Sequence, residues 1–94
     1  MGKRMYEIGL LVKASEAEND FETVEWEDDL ERVADARKKA KEISRKCPFK
    51  DWHGREIVAA DVTCHSDEEE EMGSNYWVHW REVYVNGKLA YRLE

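Results

Sequence analysis

Between residues 5 and 13, apolar and polar positions alternate with the period of a strand. Tyr6, Ile8, Leu10 and Val12 fall on one face, and Met5 and Leu11 on the other. Residues 14–20 are polar and acidic and form a turn or loop. Alternation resumes over 21–26, with Val24 and Trp26 opposed to Phe21 and Thr23. This is a second short strand, or an extended approach to a helix. At Asp28 the period changes. Leu30, Val33, Ala36, Ala40, Ile43 and Cys47 recur at spacings of three and four, the apolar stripe of an amphipathic helix. Asp28, with Glu31 three residues on, has the form of a capping box. Arg37, Lys38, Lys39, Lys41, Arg45 and Lys46 follow toward the C-terminal end, matching the helix macrodipole. Pro48 stops the helix near Lys46 or Cys47. Small Ala36 and Ala40 allow the helix to lie close to a sheet.

Residues 49–55 form a loop with a turn around His53-Gly54. Residues 57–64 are β-branched or small and almost unbroken in apolarity, as in a central strand. A polar loop over 65–74 precedes a long aromatic strand at 75–85. Asn86-Gly87 then supplies the two positive-φ residues of a type I′ hairpin, returning as a last strand over 88–93. That turn predicts the pairs Tyr84–Leu89, Glu82–Tyr91 and Trp80–Leu93. One face then carries Tyr76, Val78, Trp80, Tyr84, Leu89, Tyr91 and Leu93 toward the helix. Glu82 interrupts it and needs a partner or the rim, because a bare buried carboxylate is costly. The other face carries Trp77, His79, Arg81, Val83, Val85, Lys88, Ala90 and Arg92. The expected fold is α+β, a single domain over residues 1–94. A small antiparallel sheet of four or five strands carries one helix on one face, in the order ββαβββ or βαβββ.

Charged residues make up 39% of the chain, but 41% is apolar, with four Trp, four Tyr and two Phe, enough for a core rather than general disorder. At 94 residues the core holds one sheet face and one helix, not a deep cavity with supporting layers. A net charge of −7 works against nonspecific attraction to nucleic acid or anionic membranes and favours basic partners. Two cysteines, Cys47 and Cys64, do not make a disulfide scaffold. No apolar run is long enough for a signal peptide or a membrane span. The expected location is therefore the cytoplasm, with free thiols.

Charge is segregated along the chain. Glu16, Glu18, Asp20, Glu22, Glu25, Glu27, Asp28, Asp29 and Glu31 contain no Lys or Arg among them, and Asp67, Glu68, Glu69, Glu70 and Glu71 are five consecutive carboxylates. If these blocks converge they form a strong negative patch for a basic groove; otherwise they solvate loops and a helix start. The basic cluster from Arg37 to Arg55 is either a phosphate-binding face or a helix face satisfying its own dipole. Trp77, His79, Arg81 and Arg92 form a candidate contact face, since Trp and Arg are enriched at interface hot spots. Such a face also suits a homodimer. Cys47, His53, Cys64, His65 and His79 have zinc-binding atoms, but not the paired spacing of a closed zinc site. No nucleophile–base pair, glycine-rich phosphate loop or His-x-x-x-His pair is present. Neither a catalytic role, a metal nor a cofactor is expected.

The short chain, the acidic blocks at 16–31 and 67–71 and the missing catalytic signature together resemble small acidic proteins of phages and other mobile elements, such as anti-CRISPR and anti-restriction inhibitors. That resemblance implies a non-enzymatic protein-binding module in the cytoplasm of a bacterial host. Its acidic residues would block the basic nucleic-acid groove of a defence complex. The alternative is a nucleic-acid-associated protein, as a monomer or a dimer, using the basic face of a helix over 29–47.

Overall fold

The structure, a computed structural model, describes residues 3–70 and 73–94, with side chains described for 3–66 and 77–94. It is an α+β fold. β1 (Arg4–Lys13) and β2 (Phe21–Leu30) lead to α1 (Val33–Lys46). Then come the short β3 (Phe49–Lys50) and β4 (Glu56–Ile57), and the long β5 (Ala59–Glu70), β6 (Gly73–Val85) and β7 (Lys88–Leu93). Five strands form one antiparallel sheet in the order β2-β1-β5-β6-β7, and β3 pairs with β4 in a separate hairpin. The helix crosses one face. Ile8, Ala36, Ala40, Ala60, Val62 and Tyr84 form the core between helix and sheet, with Tyr6, Leu30, Ile43 and Trp80 packed around it. On the other face Leu11, Ala59 and Val83 are fully buried beneath Phe21, Val85 and Tyr91. Among the described residues no helix is long and apolar enough to cross a membrane.

The predicted strand period of β1 holds, and residues 14–20 are the connecting turn. There Ser15 Oγ donates to Asp20 Oδ2 at 2.5 Å, and Asn19 takes a left-handed φ of 59°. The central strand starts at Ala59 and not at 57, because Ile57 pairs with Phe49 in the β3–β4 hairpin, where only a loop with a turn was expected. β2 is longer than the pattern predicts. The helix does not open at Asp28, and no capping box forms: Asp28, Asp29 and Leu30 are strand, and Arg32 caps the helix without a side-chain bond. Tertiary pairing overrides the local signal here. The ladder of β1 continues through Glu7–Asp29 and Tyr6–Leu30, and the two carboxylates bind Lys39 and His65 instead of the helix N-terminus. The helix ends at Lys46, as Pro48 requires. Its buried stripe is Ala36, Ala40 and Ser44, not Cys47. Ser44 Oγ donates to the Lys41 carbonyl at 2.9 Å and accepts from the Gly87 amide at 2.8 Å, tying the helix to the last hairpin.

Two bulges rewrite the faces of the aromatic hairpins. Asn86 and Gly87 do form the predicted turn, at φ 52° and 77°, and Tyr84 does oppose Leu89. Ala90 is then an extra residue, so Val83 opposes Tyr91, Glu82 opposes Arg92 and Arg81 opposes Leu93. The predicted pairs of Glu82 with Tyr91 and Trp80 with Leu93 are therefore replaced. His79 is a second extra residue: Cys64 opposes Trp80, yet His65 opposes Val78. Past a bulge, alternation changes sides. Residues 65–70, predicted as loop, continue β5, and Glu70 pairs with Gly73. Antiparallel pairing with β6 holds this charged stretch extended despite its low strand propensity.

Candidate interaction surface

The β1–β2 connection carries Glu16, Glu18 and Asp20, and Glu22 lies just inside β2. All four are exposed, and among the described residues none has a Lys, Arg or His within ion-pair distance. Glu16 and Glu18 line an open groove of about 560 Å³ with Lys13, Phe21, Val85 and Ala90 on the sheet face away from the helix, whereas Asp20 and Glu22 lie outside that lining. An apolar floor beneath unpaired carboxylates suits a ligand that is both basic and apolar. Of the acidic residues that follow, Glu27 is likewise exposed and without an ion pair among the described residues, but the others are different. Glu25 binds Arg55 at 3.1 Å, Asp28 binds Lys39, Asp29 accepts from His65 Nε2 at 2.9 Å, and Glu31 meets Lys3 at 3.0 Å.

The two acidic blocks do not converge. Arg4 pairs with Ser66 at one end of β1, and Leu11 with Ala59 near the other. Those pairs are seven steps apart, about 23 Å along the strands. The 14–20 turn extends from one end, and the backbone of Asp67, Glu68, Glu69 and Glu70 runs on from the other, in a molecule 43 Å long. The side chains of these four, and Glu71 altogether, lie outside the described residues.

The predicted contact face of Trp77, His79, Arg81 and Arg92 is not one face. Arg81 alone lies opposite the helix. It donates through Nε at 2.6 Å and lies 2.5 Å through Nη2 from Asp61 Oδ2, and it also bonds Thr23. Asp61 is 1% exposed, and Gly9 makes room for it, since a Cβ there would come within 2.4 Å of Asp61 Oδ1. Burial pushes the Asp61 carboxyl above its ordinary range, outweighing the Arg81 charge. Arg92, moved by the Ala90 bulge, lies on the helix side, 3.4 Å from Glu82 and 4.7 Å from the Trp80 ring centroid. Trp77 opposes Ser66, on the same side as the helix, and remains half exposed. His79 Nε2 lies 2.8 Å from Ser66 Oγ.

Glu82 finds the partner its position demands. Arg37 donates to both carboxylate oxygens, at 2.8 and 3.1 Å, and the Tyr84 hydroxyl donates at 2.9 Å. Burial works against the charge, but the bonds from Arg37 and Tyr84 hold the Glu82 carboxyl below its ordinary range. Burial, and then the Glu82 bond, push the Tyr84 hydroxyl up to about 12. Arg37 and Arg92 both lie over Trp80, so this cluster locks helix to sheet.

One exposed group was missed by the sequence reading. Trp52, at the tip of the β3–β4 hairpin, is 82% exposed with His53 stacked on it at 3.6 Å between centroids. The tip is rigidly tied. Asp51 accepts from the amides of His53 and Arg55 and from Arg55 Nε, and the Gly54 amide donates to the Asp51 carbonyl. Arg55 reaches on to the Val24 carbonyl and Glu25 of the acidic edge strand. The signal was in the sequence: Asp51 ahead of a Gly54 turn is an Asx-turn pattern. Trp26, on edge strand β2, is also more than half exposed. Among the described residues no three His, Cys, Asp or Glu groups cluster as metal ligands. The chain matches no family model, no curated protein and no solved structure.

Proposed function

We propose that this protein is a non-enzymatic binding module for a protein with a basic surface, engaged through its 14–22 end. The observation that carries this reading is the contrast within one acidic block. Glu25, Asp28, Asp29 and Glu31 are matched internally, whereas Glu16, Glu18, Asp20 and Glu22 have no cation within ion-pair distance among the described residues, and Glu16 and Glu18 line an apolar-floored groove. Unmatched surface charge of one sign steers a partner of the other sign and fixes its orientation. Trp52, held on a rigid tip joined to the same edge strand, adds the kind of aromatic anchor on which binding energy concentrates. In its sharpest form the module is an inhibitor of the anti-CRISPR kind that occupies the nucleic-acid groove of a defence nuclease. Because the 67–70 backbone runs to the far end, such contact uses one compact acidic end and not a long phosphate mimic.

An arginine-rich peptide serves as the probe, followed by amide chemical-shift mapping. Shifts concentrated at residues 13–22 and 85–90, with at least tenfold weaker binding on replacing Glu16, Glu18 and Glu22 by Gln and Asp20 by Asn, are expected. Binding that ignores these four substitutions overturns the proposal.

A further inference from the structure

The opposite face of the molecule carries a groove of opposite sign. It measures about 350 Å³ and is lined along the helix by Ala34, Arg37, Lys38, Lys41 and Arg45, with no carboxylate in its lining. The spacings of three and four place all five on one side of α1. From Arg37 to Arg45 the row runs about 12 Å at a rise of ~1.5 Å per residue. The base of the groove is fixed. Arg37 is held by both oxygens of buried Glu82, and Lys41 Nζ sits 5.9 Å from the Tyr84 ring centroid. Glu82 is already matched twice, by Arg37 and Arg92. Lys38, Lys41 and Arg45 have no carboxylate within ion-pair distance among the described residues. Asp35 and Glu42 share a neighbouring groove with Lys38, but none of the three cations is ion-paired among the described residues.

We infer that this groove is a sequence-independent site for the phosphodiester backbone of a nucleic acid. A row of about 12 Å is long enough to span neighbouring phosphates along one strand. The lining offers charge but no aromatic platform and no Asn or Gln, and Arg37 is held by both oxygens of Glu82, so the groove positions a backbone by phosphate contacts that carry no sequence information. The net charge of −7 does not decide the matter. Glu16 and Glu18 border the face away from the helix, no carboxylate of the 14–22 end lines this groove, and at physiological salt their field is screened beyond about 8 Å. The site is independent of the acidic end, and either can fail without the other.

Fluorescence anisotropy of a labelled mixed-sequence duplex of about 20 bp tests the site, starting near 50 mM salt where such contacts are strong. Three uncompensated cations predict a slope of log K against log salt near −2.7, at about −0.9 per phosphate neutralised. The double substitution Lys38→Gln/Lys41→Gln should weaken binding tenfold or more and reduce the slope to about −0.9. Lys50→Gln, outside the groove, should change affinity less than twofold. Duplex-induced amide shifts in the wild-type protein should centre on residues 34–45, which checks the site without relying on a variant that folds. The inference is overturned by absence of duplex binding, by binding that the double substitution leaves intact, or by shifts centred elsewhere. Polyglutamate or anionic phosphatidylserine vesicles binding as tightly as the duplex also overturn it.

Discussion

Asp61 and Glu82 show how two buried carboxylates in one sheet acquire opposite pH behaviour. Asp61 has one cation, Arg81, and burial prevails, so its folded pKa lies above the unfolded value. Glu82 has Arg37, Tyr84 and Arg92, which outweigh burial, so its folded pKa lies below the unfolded value. The native state thus binds the Asp61 proton more tightly than the unfolded chain does. Stability from this group falls as pH rises through the carboxylate range. For Glu82 the sign reverses: its contribution is complete above the unfolded value near 4.3 and is lost as pH falls through the lower folded value. Glu82→Gln should cost about 1–3 kcal/mol at neutral pH, from lost charge-assisted bonds to Arg partners that can still reach water. In urea unfolding that penalty should shrink below about pH 4. Asp61→Asn should show the opposite trend, gaining on wild type as pH rises from 3 to 7. Penalties with the same pH dependence in both variants would contradict these assignments. At Trp52, Asp51→Ala removes the carboxylate that accepts the bonds of His53 and Arg55. Hydrogen exchange at the His53 and Arg55 amides should then accelerate at least tenfold, with little change in the central strand. A uniform change across the protein would argue against a locally held tip.

Elements were legible where local pattern and tertiary pairing agreed. β1, the central strand, the C-terminal end of the helix and the Asn86-Gly87 turn belong to this class, because period, proline and turn chemistry each act over a few residues. The start of the helix was not legible. Asp28 and Glu31 fit a capping box, but the choice between strand and helix there rests on the unpaired edge of β1 and on His65, 36 residues away from Asp29. The bulges at His79 and Ala90 were equally hidden. Each adds a single residue, and each moves side chains between faces, which is why Arg92 joined Glu82 and left Arg81 alone on its face. The acidic candidates were partly legible: composition located them, but only pairing showed which were already matched and that the two blocks lie at opposite ends. The helix–hairpin junction gives a test at this scale. Gly87 has φ 77°, and a Cβ there would lie 2.7 Å from the Arg45 side chain. Gly87→Ala combines left-handed strain with a shift of Arg45, so it should destabilise by about 1–2 kcal/mol, or lower Tm by roughly 5–15 °C. Arg45→Ala in the same background should recover the steric part and leave the backbone part. A double variant no more stable than Gly87→Ala would show that Arg45 does not confine the turn.

At the scale of the whole molecule the sheet separates two charge systems. One face carries the groove bordered by Glu16 and Glu18; the other carries the helix groove of Lys38, Lys41 and Arg45. Their coupling runs through solvent and salt, with no shared ion pair among the described residues, so its range follows the Debye length. Screening is about 8 Å at physiological ionic strength and about 30 Å at 0.01 M. Replacing Glu16, Glu18 and Glu22 by Gln and Asp20 by Asn moves the net charge from −7 to −3 without touching the helix groove. Near 0.15 M salt, duplex affinity of this variant should stay within about twofold of wild type, because none of the removed charges lines the helix groove and salt screens their field beyond about 8 Å. Near 0.01 M the same variant should bind duplex several-fold more tightly, as the removed repulsion acts at about 30 Å. Its affinity for the arginine-rich peptide should fall at both salt levels, because contact between charges is screened far less than action at a distance. A several-fold gain in duplex affinity already present at about 0.15 M salt would mean that the two charge systems touch, and that the sheet does not hold them apart.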